Sequence, residues 1–171
     1  TFKLNNTLSD LIEIIQVRKG QLEKTEVDIE EVVDEIFDTH NSKKNYAIDV
    51  RKSFENKTIY TDLIYLKIVL RNLISNALKF STDFRESYIF VESSRTDKII
   101  QIKVEDNGIG IREEAKEHLF EMFYRGGNES SDGAGLGLFI VKDAINKLGG
   151  HIYFESEKNK GSTFYVELPL D

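Results

Sequence analysis

The sequence predicts an α+β domain in which helices pack on one face of a mixed β-sheet. Apolar residues recur every three or four positions over 63–80 and 137–148, whereas they alternate over 88–94, 98–105 and 162–168. Helices and strands do not alternate strictly along the chain, which disfavours a parallel sheet covered on both faces. A chain of 171 residues has room for one such domain with a proper core.

The other elements follow from shorter patterns. The predicted helix 4–18 carries a one-sided apolar stripe that needs a partner helix, and Gly20 is predicted to end it. Asp28 is a plausible N-cap of a second helix, and Asp62 of the helix 63–80. The apolar stripe of the first helix comprises Leu4, Leu8, Leu11, Ile12 and Ile15, opposite Asp10, Glu13, Gln16 and Arg18. Further strands are expected at 23–28, 46–50, 57–60 and 151–156, and a short helix is expected at 112–118.

Composition excludes several classes of function. A net charge of −7, spread along the chain, disfavours nucleic acid and anionic membrane surfaces as general partners. Without cysteine there is no disulfide or thiolate chemistry, and the three histidines lie too far apart to suggest a zinc site. No apolar run reaches membrane-span length and no signal peptide is visible, so we expect a cytosolic piece, compatible with an origin in a longer membrane-bound chain.

A strand-to-loop transition at 104–111 is the first candidate site. The alternating strand ends in Asp106, a fixed hydrogen-bond acceptor, followed by Gly108 and Gly110. Glycine permits backbone conformations closed to other residues and lets a flat ligand approach the main chain. Taken alone, the stretch also fits an ordinary Asp-Asn-Gly turn.

The helix 63–80 supplies the second candidate. At about 100° per residue, Asn72, Asn76 and Lys79 fall within about 60° of one another, beside a separate apolar stripe. They could form the solvated side of the helix, but two asparagines one turn apart weaken a helix without structural return. An amide oxygen suits magnesium, and a lysine suits phosphate oxygens.

A glycine-rich stretch at 133–138 leads directly into the helix 137–148. Backbone N–H groups at such a helix start form an anion site. The stretch is weak evidence by itself, because short glycine patterns are common. Combined with the asparagine-bearing helix and the Asp106 loop, it predicts a nucleotide site.

These stretches resemble the conserved boxes of the catalytic domain of two-component sensor histidine kinases. Residues 72–80 are similar to the N box, 106–110 to the G1 box, 119–125 to the F box and 133–138 to the G2 box. Gly161-Ser162-Thr163-Phe164 is similar to the closing strand of that family. The resemblance covers about 30–170 and implies the Bergerat ATP-binding fold: a two-layer sandwich of a mixed five-stranded sheet, small extra strands, and three main helices on one face. It also implies a division into 1–20, the end of a dimerisation helix, and 21–171, the ATP-binding domain.

The resemblance assigns a role to each matching position. Asp106 would accept a hydrogen bond from the adenine amino group, Asn76 would bind Mg²⁺, and Arg125 would meet phosphate charge beneath a lid over 124–134. Asn72 and Lys79 would lie near the phosphates. The remaining nucleotide contacts would come from Phe80, Gly108, Gly110, Ile111, Phe123, Gly135, Leu136, Gly137, Leu138 and, through water, Thr163.

The implied activity is transfer of the γ-phosphoryl of Mg-ATP to a histidine on a dimerisation domain of the same homodimeric protein, and from there to a response regulator. The related ATPases carry a glutamate base one turn before the magnesium asparagine, where this chain has Asn72. A water-activating ATPase of the same fold and a nucleotide-binding regulatory module without transfer remain the alternatives.

Three features depart from the family pattern. The phosphate-accepting His-Glu/Asp-Leu run is absent, and His40, which lies at a fraying helix end, has no adjacent acidic residue to act as its base. Ala134 replaces a threonine common in the G2 box, and Arg125 is the one arginine of the lid. We therefore expect the acceptor histidine on a segment that precedes residue 1.

Overall fold

The computed structural model describes residues 2–41, 48–82, 86–126 and 133–170. In this part of the chain the sheet and its covering helices follow the predicted order. The elements are α1 (Phe2–Lys19), β1 (Lys24–Asp28), α2 (Ile29–Asn41), β2 (Ile48–Phe54), β3 (Thr58–Asp62), α3 (Leu63–Lys79), β4 (Ser87–Arg95), β5 (Ile99–Asp106), α4 (Glu113–Lys116), α5 (Gly137–Lys147), β6 (His151–Glu157) and β7 (Gly161–Pro169).

The main sheet has five strands in the order β2-β4-β5-β7-β6. The β2–β4 pair is parallel, and the other neighbours are antiparallel, so the sheet is mixed as predicted. A separate antiparallel pair, β1–β3, lies beside it. The predicted α+β class, with a five-stranded mixed sheet, small extra strands and helices on one face, is confirmed.

The core lies between one face of this sheet and the helices α2, α3 and α5. Alternate residues of the central strands are buried, and the apolar stripe predicted on α3 is fully enclosed. The stripe consists of Leu66, Leu70, Leu73 and Ala77, and it meets strand residues that include Ile89, Val91, Ile102, Val104 and Val166.

Two aspartates start the helices that carry the core. The Asp28 carboxylate accepts hydrogen bonds from the backbone N–H groups of Glu30 (2.8 Å) and Glu31 (3.1 Å), and so caps α2. Asp62 caps α3 by accepting from the N–H groups of Ile64 (2.9 Å) and Tyr65 (3.2 Å). Both N-cap predictions are confirmed.

The orientation of α1 differs from the simplest reading of its sequence. Ile14 and Val17 are buried against the domain, and Glu13 is 9% exposed although it lies on the predicted polar side. The predicted apolar stripe faces away from the domain: Leu8, Leu11, Ile12 and Ile15 are 58%, 39%, 48% and 54% exposed. The helix thus has two faces suited to burial, and the domain covers the one with fewer apolar residues.

Element boundaries shift by a few residues from those predicted. The strand expected at 46–50 is β2, which extends to Phe54, while residues 42–47 lie outside the described residues. The short helix expected at 112–118 has a single turn, α4. Most of the predicted polar loop 125–133 also falls outside the described part.

Candidate nucleotide-binding site

A cavity of about 430 Å³ opens between α3, the loop after β5, residues 119–126 and the start of α5. The three stretches singled out in the sequence converge on it, although they are far apart along the chain. Its lining comprises Asp10, Asn72, Ser75, Asn76, Lys79, Phe80, Asp106, Ile109, Gly110, Ile111, Arg112, Ala115, Leu119, Tyr124, Arg125, Gly126, 133–138, Lys158, Asn159, Ser162 and Phe164.

The polar side of α3 forms one wall of the cavity. Asn72, Asn76 and Lys79 all line it, so their common face does not simply meet bulk solvent. The Asn72 amide nitrogen donates to the Ile68 carbonyl at 2.8 Å, which fixes the side chain. A Cβ added to Gly137 would lie 2.9 Å from the Asn72 side-chain oxygen. That oxygen therefore points toward the start of α5.

Asp106 forms the opposite end of the cavity, where β5 leaves the sheet. One oxygen of its carboxylate accepts a hydrogen bond from the Gly108 N–H at 2.8 Å, which orients the side chain. Asp106 is paired across the sheet with Ser162 of β7, and both residues line the cavity. A fixed carboxylate at a partly enclosed end can accept a hydrogen bond from an amino group of a ligand.

The two glycines after Asp106 are required by packing within the chain. A Cβ at Gly108 would lie 2.3 Å from the Phe80 carbonyl oxygen, and one at Gly110 would lie 2.0 Å from that of Glu157. Gly110 also has a φ of +65°, which side chains disfavour. Gly110 lines the cavity whereas Gly108 does not. Gly108 therefore positions the loop against the end of α3, and its contact with a ligand stays a prediction.

The glycine-rich segment 133–138 forms the third wall. Gly135, with a φ of +73°, packs so tightly on the backbone of Phe123 and Tyr124 that a Cβ would lie 2.6 Å from the Tyr124 carbonyl oxygen. Leu136 is fully buried and precedes α5 without a side-chain cap. The first N–H groups of an uncapped helix are available to an anion. Because Leu136, Gly137 and Leu138 line the cavity, these groups meet it at the Asn72 end.

Two predicted site residues lie elsewhere. Thr163 is on the face of β7 that points away from the helices, since Ser162 and Phe164 on either side of it are buried toward the cavity. Phe123 is 57% exposed, has a φ of +65° and is not among the residues that line the cavity. Their chain neighbours Ser162 and Tyr124 line the cavity, and the nucleotide contacts of Thr163 and Phe123 stay predictions.

Sequence reasoning missed several other lining residues. Arg112 donates to the Gly126 carbonyl at 2.7 Å and so ties the loop after β5 to the segment at 124–126. Asn159 donates its backbone N–H to the Ile109 carbonyl at 2.7 Å. Asp10 reaches the cavity from α1. No sequence pattern marks such contacts, because they depend on how distant turns and α1 pack against the domain.

The cavity is richer in positive charge than the protein as a whole. Four cationic side chains line it against two carboxylates, in a chain of net charge −7. This local excess favours an anionic ligand. The cations are Lys79, Arg112, Arg125 and Lys158, and the carboxylates are Asp10 and Asp106.

The residues fit a magnesium-bound nucleotide better than a metal held by protein alone. Across 2–41, 48–82, 86–126 and 133–170 there is no group of three or more His, Cys, Asp and Glu side chains that could hold an ion. Magnesium is commonly held by few protein oxygens together with substrate phosphates and water. The Asn76 amide oxygen, on a side chain that lines the cavity, suits that arrangement.

His40 shows no sign of a role at this site. Its Nδ1 atom contacts the Ile36 carbonyl at 2.8 Å, within its own helix α2. It does not line the cavity.

Comparison with known proteins identifies the family. Residues 61–171 match the family described as histidine kinase-, DNA gyrase B-, and HSP90-like ATPase. The chain is 34% identical over 174 residues to the sensor-like histidine kinase SenX3 of Mycobacterium tuberculosis, with 98% of this chain and 42% of SenX3 covered. It therefore spans less than half of that relative.

Similarity to solved structures supports the same family. Full-length ShkA in complex with AMPPNP superposes with a TM-score of 0.80 at 26% identity, covering 94% of this chain and 34% of ShkA. Histidine kinase ThkA in complex with response regulator protein TrrA gives 0.78 at 27% identity, covering all of this chain and 49% of ThkA. The chain belongs to the family of histidine kinase-, DNA gyrase B-, and HSP90-like ATPases, and within it to the catalytic domains of sensor histidine kinases.

Among the helices of the described residues, none combines the length and apolar character that crossing a bilayer demands.

Proposed function

We propose that this chain binds Mg-ATP and transfers the γ-phosphoryl group to a histidine on a dimerisation domain of its full-length protein. The observation that carries the proposal is the composition of the α3 wall. Asn72 presents an amide where a water-activating ATPase needs a carboxylate base, one turn before Asn76, and an amide cannot take a proton from water. The phosphoryl group is then kept for an external nucleophile.

The cavity divides into a base end and a phosphate end. At the base end, Asp106 accepts from the adenine amino group, whereas the carbonyl of guanine would meet the carboxylate with like partial charge. At the phosphate end, the N–H groups at the start of α5 and the Lys79 ammonium bind phosphate oxygens. Asn76 would hold a magnesium ion there, which would neutralise phosphate charge. Positioning and charge neutralisation account for most of the catalysis of phosphoryl transfer.

The partners follow from α1 and from the relatives. We propose that residues 1–20 are the end of a dimerisation helix and that 21–171 form the ATP-binding domain. The exposed stripe of Leu8, Leu11, Ile12 and Ile15 supports this, because a second helix of a homodimer would bury it. By analogy with the ThkA–TrrA complex, a response regulator receives the phosphoryl group. ATP as donor makes the cytoplasm the expected location.

One observation favours the rival ATPase. Asp10 brings a carboxylate into the cavity, and a carboxylate is a possible base for water. It comes from α1 and not from α3, where the base of the related ATPases lies. Phosphate release by the parent and by Asp10→Asn distinguishes the two: a kinase domain hydrolyses slowly in both forms, whereas an ATPase that uses this base hydrolyses steadily and loses the activity in the variant.

Calorimetric titration with ATP and GTP, with and without magnesium, tests the nucleotide site. We expect magnesium-dependent ATP binding and weak GTP binding. The full-length protein should then label a histidine on its own dimerisation domain from γ-labelled ATP. Absence of any nucleotide binding would refute the proposal and leave a regulatory module as the better account.

A further inference from the structure

The helix α1 packs against the domain through specific contacts, and we call this packed position the seat of α1. Ile14 and Val17 are buried, and Glu13 forms an ion pair with Arg71 of α3. The Tyr65 hydroxyl donates to the Gln16 carbonyl at 3.3 Å. Farther along, Arg18 pairs with Asp143 of α5 at 3.1 Å. Apolar burial and paired charges together define one position of α1 against α3 and α5.

This seat places Asp10 in the nucleotide cavity. Asp10 lies one turn before Glu13 and Ile14, on the side of α1 that faces α3, and it lines the cavity together with Asn72, Ser75 and Asn76. Burial raises the pKa of the Asp10 carboxyl, an effect that Glu13 reinforces and Arg71 opposes. The carboxyl group is thus partly withdrawn from bulk water. Charges in such a site interact more strongly than charges in solvent.

We propose that Asp10 makes this site select the magnesium complex of the nucleotide over the free nucleotide, and that binding of the complex stabilises the seat of α1. The proposal rests on the proposed function, since it concerns the same nucleotide. It adds a selectivity residue contributed by a helix outside the ATP-binding domain.

The physical reason is the sign of the charges at the phosphate end. A free triphosphate brings several negative charges toward a carboxylate, which raises the free energy of the complex. A magnesium ion on the phosphates would offset this repulsion, and it would attract the Asp10 carboxylate directly or through a water molecule. Because linkage is reciprocal, a ligand that binds more tightly when α1 is seated also holds α1 in its seat.

The test compares three proteins by calorimetric titration with ATP in magnesium and in EDTA. They are the parent, Asp10→Asn, and the control Asp97→Asn, which removes the same charge from the exposed β4–β5 turn. The ratio of magnesium-bound to free ATP affinity is expected to fall about tenfold in Asp10→Asn. The control should keep the parent ratio. Asp10→Ser provides a second variant without an amide that could bind the metal.

An unchanged affinity ratio in both Asp10 variants would overturn the proposal while leaving the proposed function intact. A parent that binds no nucleotide would overturn both this proposal and the proposed function.

The second measurement is hydrogen exchange at residues 13–17. Mg-ATP should slow exchange there more than ATP in EDTA does, and Asp10→Asn should reduce that difference. Equal differences in parent and variant would contradict the link to α1.

Discussion

Substitution of Asp106 by asparagine should change the base preference of the site. One Asp106 oxygen accepts from the Gly108 N–H at 2.8 Å, and in the proposed complex the carboxylate also accepts from the adenine amino group. In Asp106→Asn, the oxygen that remains can serve one of these donors only. If it keeps the Gly108 bond, the new NH₂ group faces the adenine amino group, donor against donor. If the amide flips, the NH₂ group faces the Gly108 N–H instead.

Either orientation loses one hydrogen bond to a charged acceptor, which contributes about 1.5–3 kcal/mol. This corresponds to a roughly 10- to 100-fold weaker affinity for ATP. The guanine carbonyl, by contrast, would find a donor in the first orientation, so the affinity for GTP should rise. The variant is nearly isosteric, and its thermal midpoint should stay close to that of the parent.

Calorimetric titration with both nucleotides measures the change, with Asp97→Asn as the matched control for lost charge. The decisive quantity is the ratio of the affinities for ATP and GTP, since a general weakening of the cavity would lower both. If Asp106→Asn bound ATP as tightly as the parent, Asp106 would not contact the base, and the orientation of the nucleotide proposed here would be wrong.

Three further changes test other parts of the structure. Asn76→Ala should remove most of the magnesium dependence of ATP binding, about tenfold in affinity, when titrations with and without the metal are compared. Gly137→Ala would place a Cβ 2.9 Å from the Asn72 side-chain oxygen and force that side chain out of its hydrogen bond to the Ile68 carbonyl. The affinity for ATP should fall. The melting temperature should change little, because alanine adds up to about 1 kcal/mol of helix propensity. The Glu121 carboxylate forms a hydrogen bond with His118 at 2.8 Å and holds the pKa of the imidazole above its usual 6.5. The pair therefore stabilises the fold below pH 6.5, and this stabilisation is lost as the pH rises through the raised pKa. Glu121→Gln should lower the His118 pKa in an NMR titration.

The sequence was sufficient to predict the sheet and the walls of the cavity because each depends on a local pattern. The alternation in β4, β5 and β7 reports which residues face the helices, and the spacing of Asn72, Asn76 and Lys79 reports a shared helix face. Asp62 was recognised as a helix cap for a similar reason, since its bonding partners lie within three residues.

The sequence is less informative where a local pattern has two solutions. Ser162 and Thr163 are both small hydroxyl residues, and only the register that pairs Asp106 with Ser162 decides which one faces the cavity. The resemblance places Phe123 at the nucleotide, whereas its side chain is 57% exposed and its φ is +65°, a backbone conformation that the sequence pattern does not reveal. The glycines at 108 and 110 were assigned to ligand approach, whereas their nearest constraints are the carbonyl groups of Phe80 and Glu157.

The helix α1 shows why amphipathic pattern alone did not reveal the seat of Asp10. Its strongest apolar stripe points away from the domain, and the side that the domain covers includes Glu13, Ile14 and Val17. A helix with two partners distributes its apolar residues over two faces, so neither face dominates the pattern. If the outward stripe packs in a homodimer, as we propose, and the inward face carries Asp10 into the nucleotide cavity, then any displacement of α1 in the dimer changes the charge that the phosphates meet. Movement in the dimerisation region and occupancy by Mg-ATP would then be linked through the seat of a single helix.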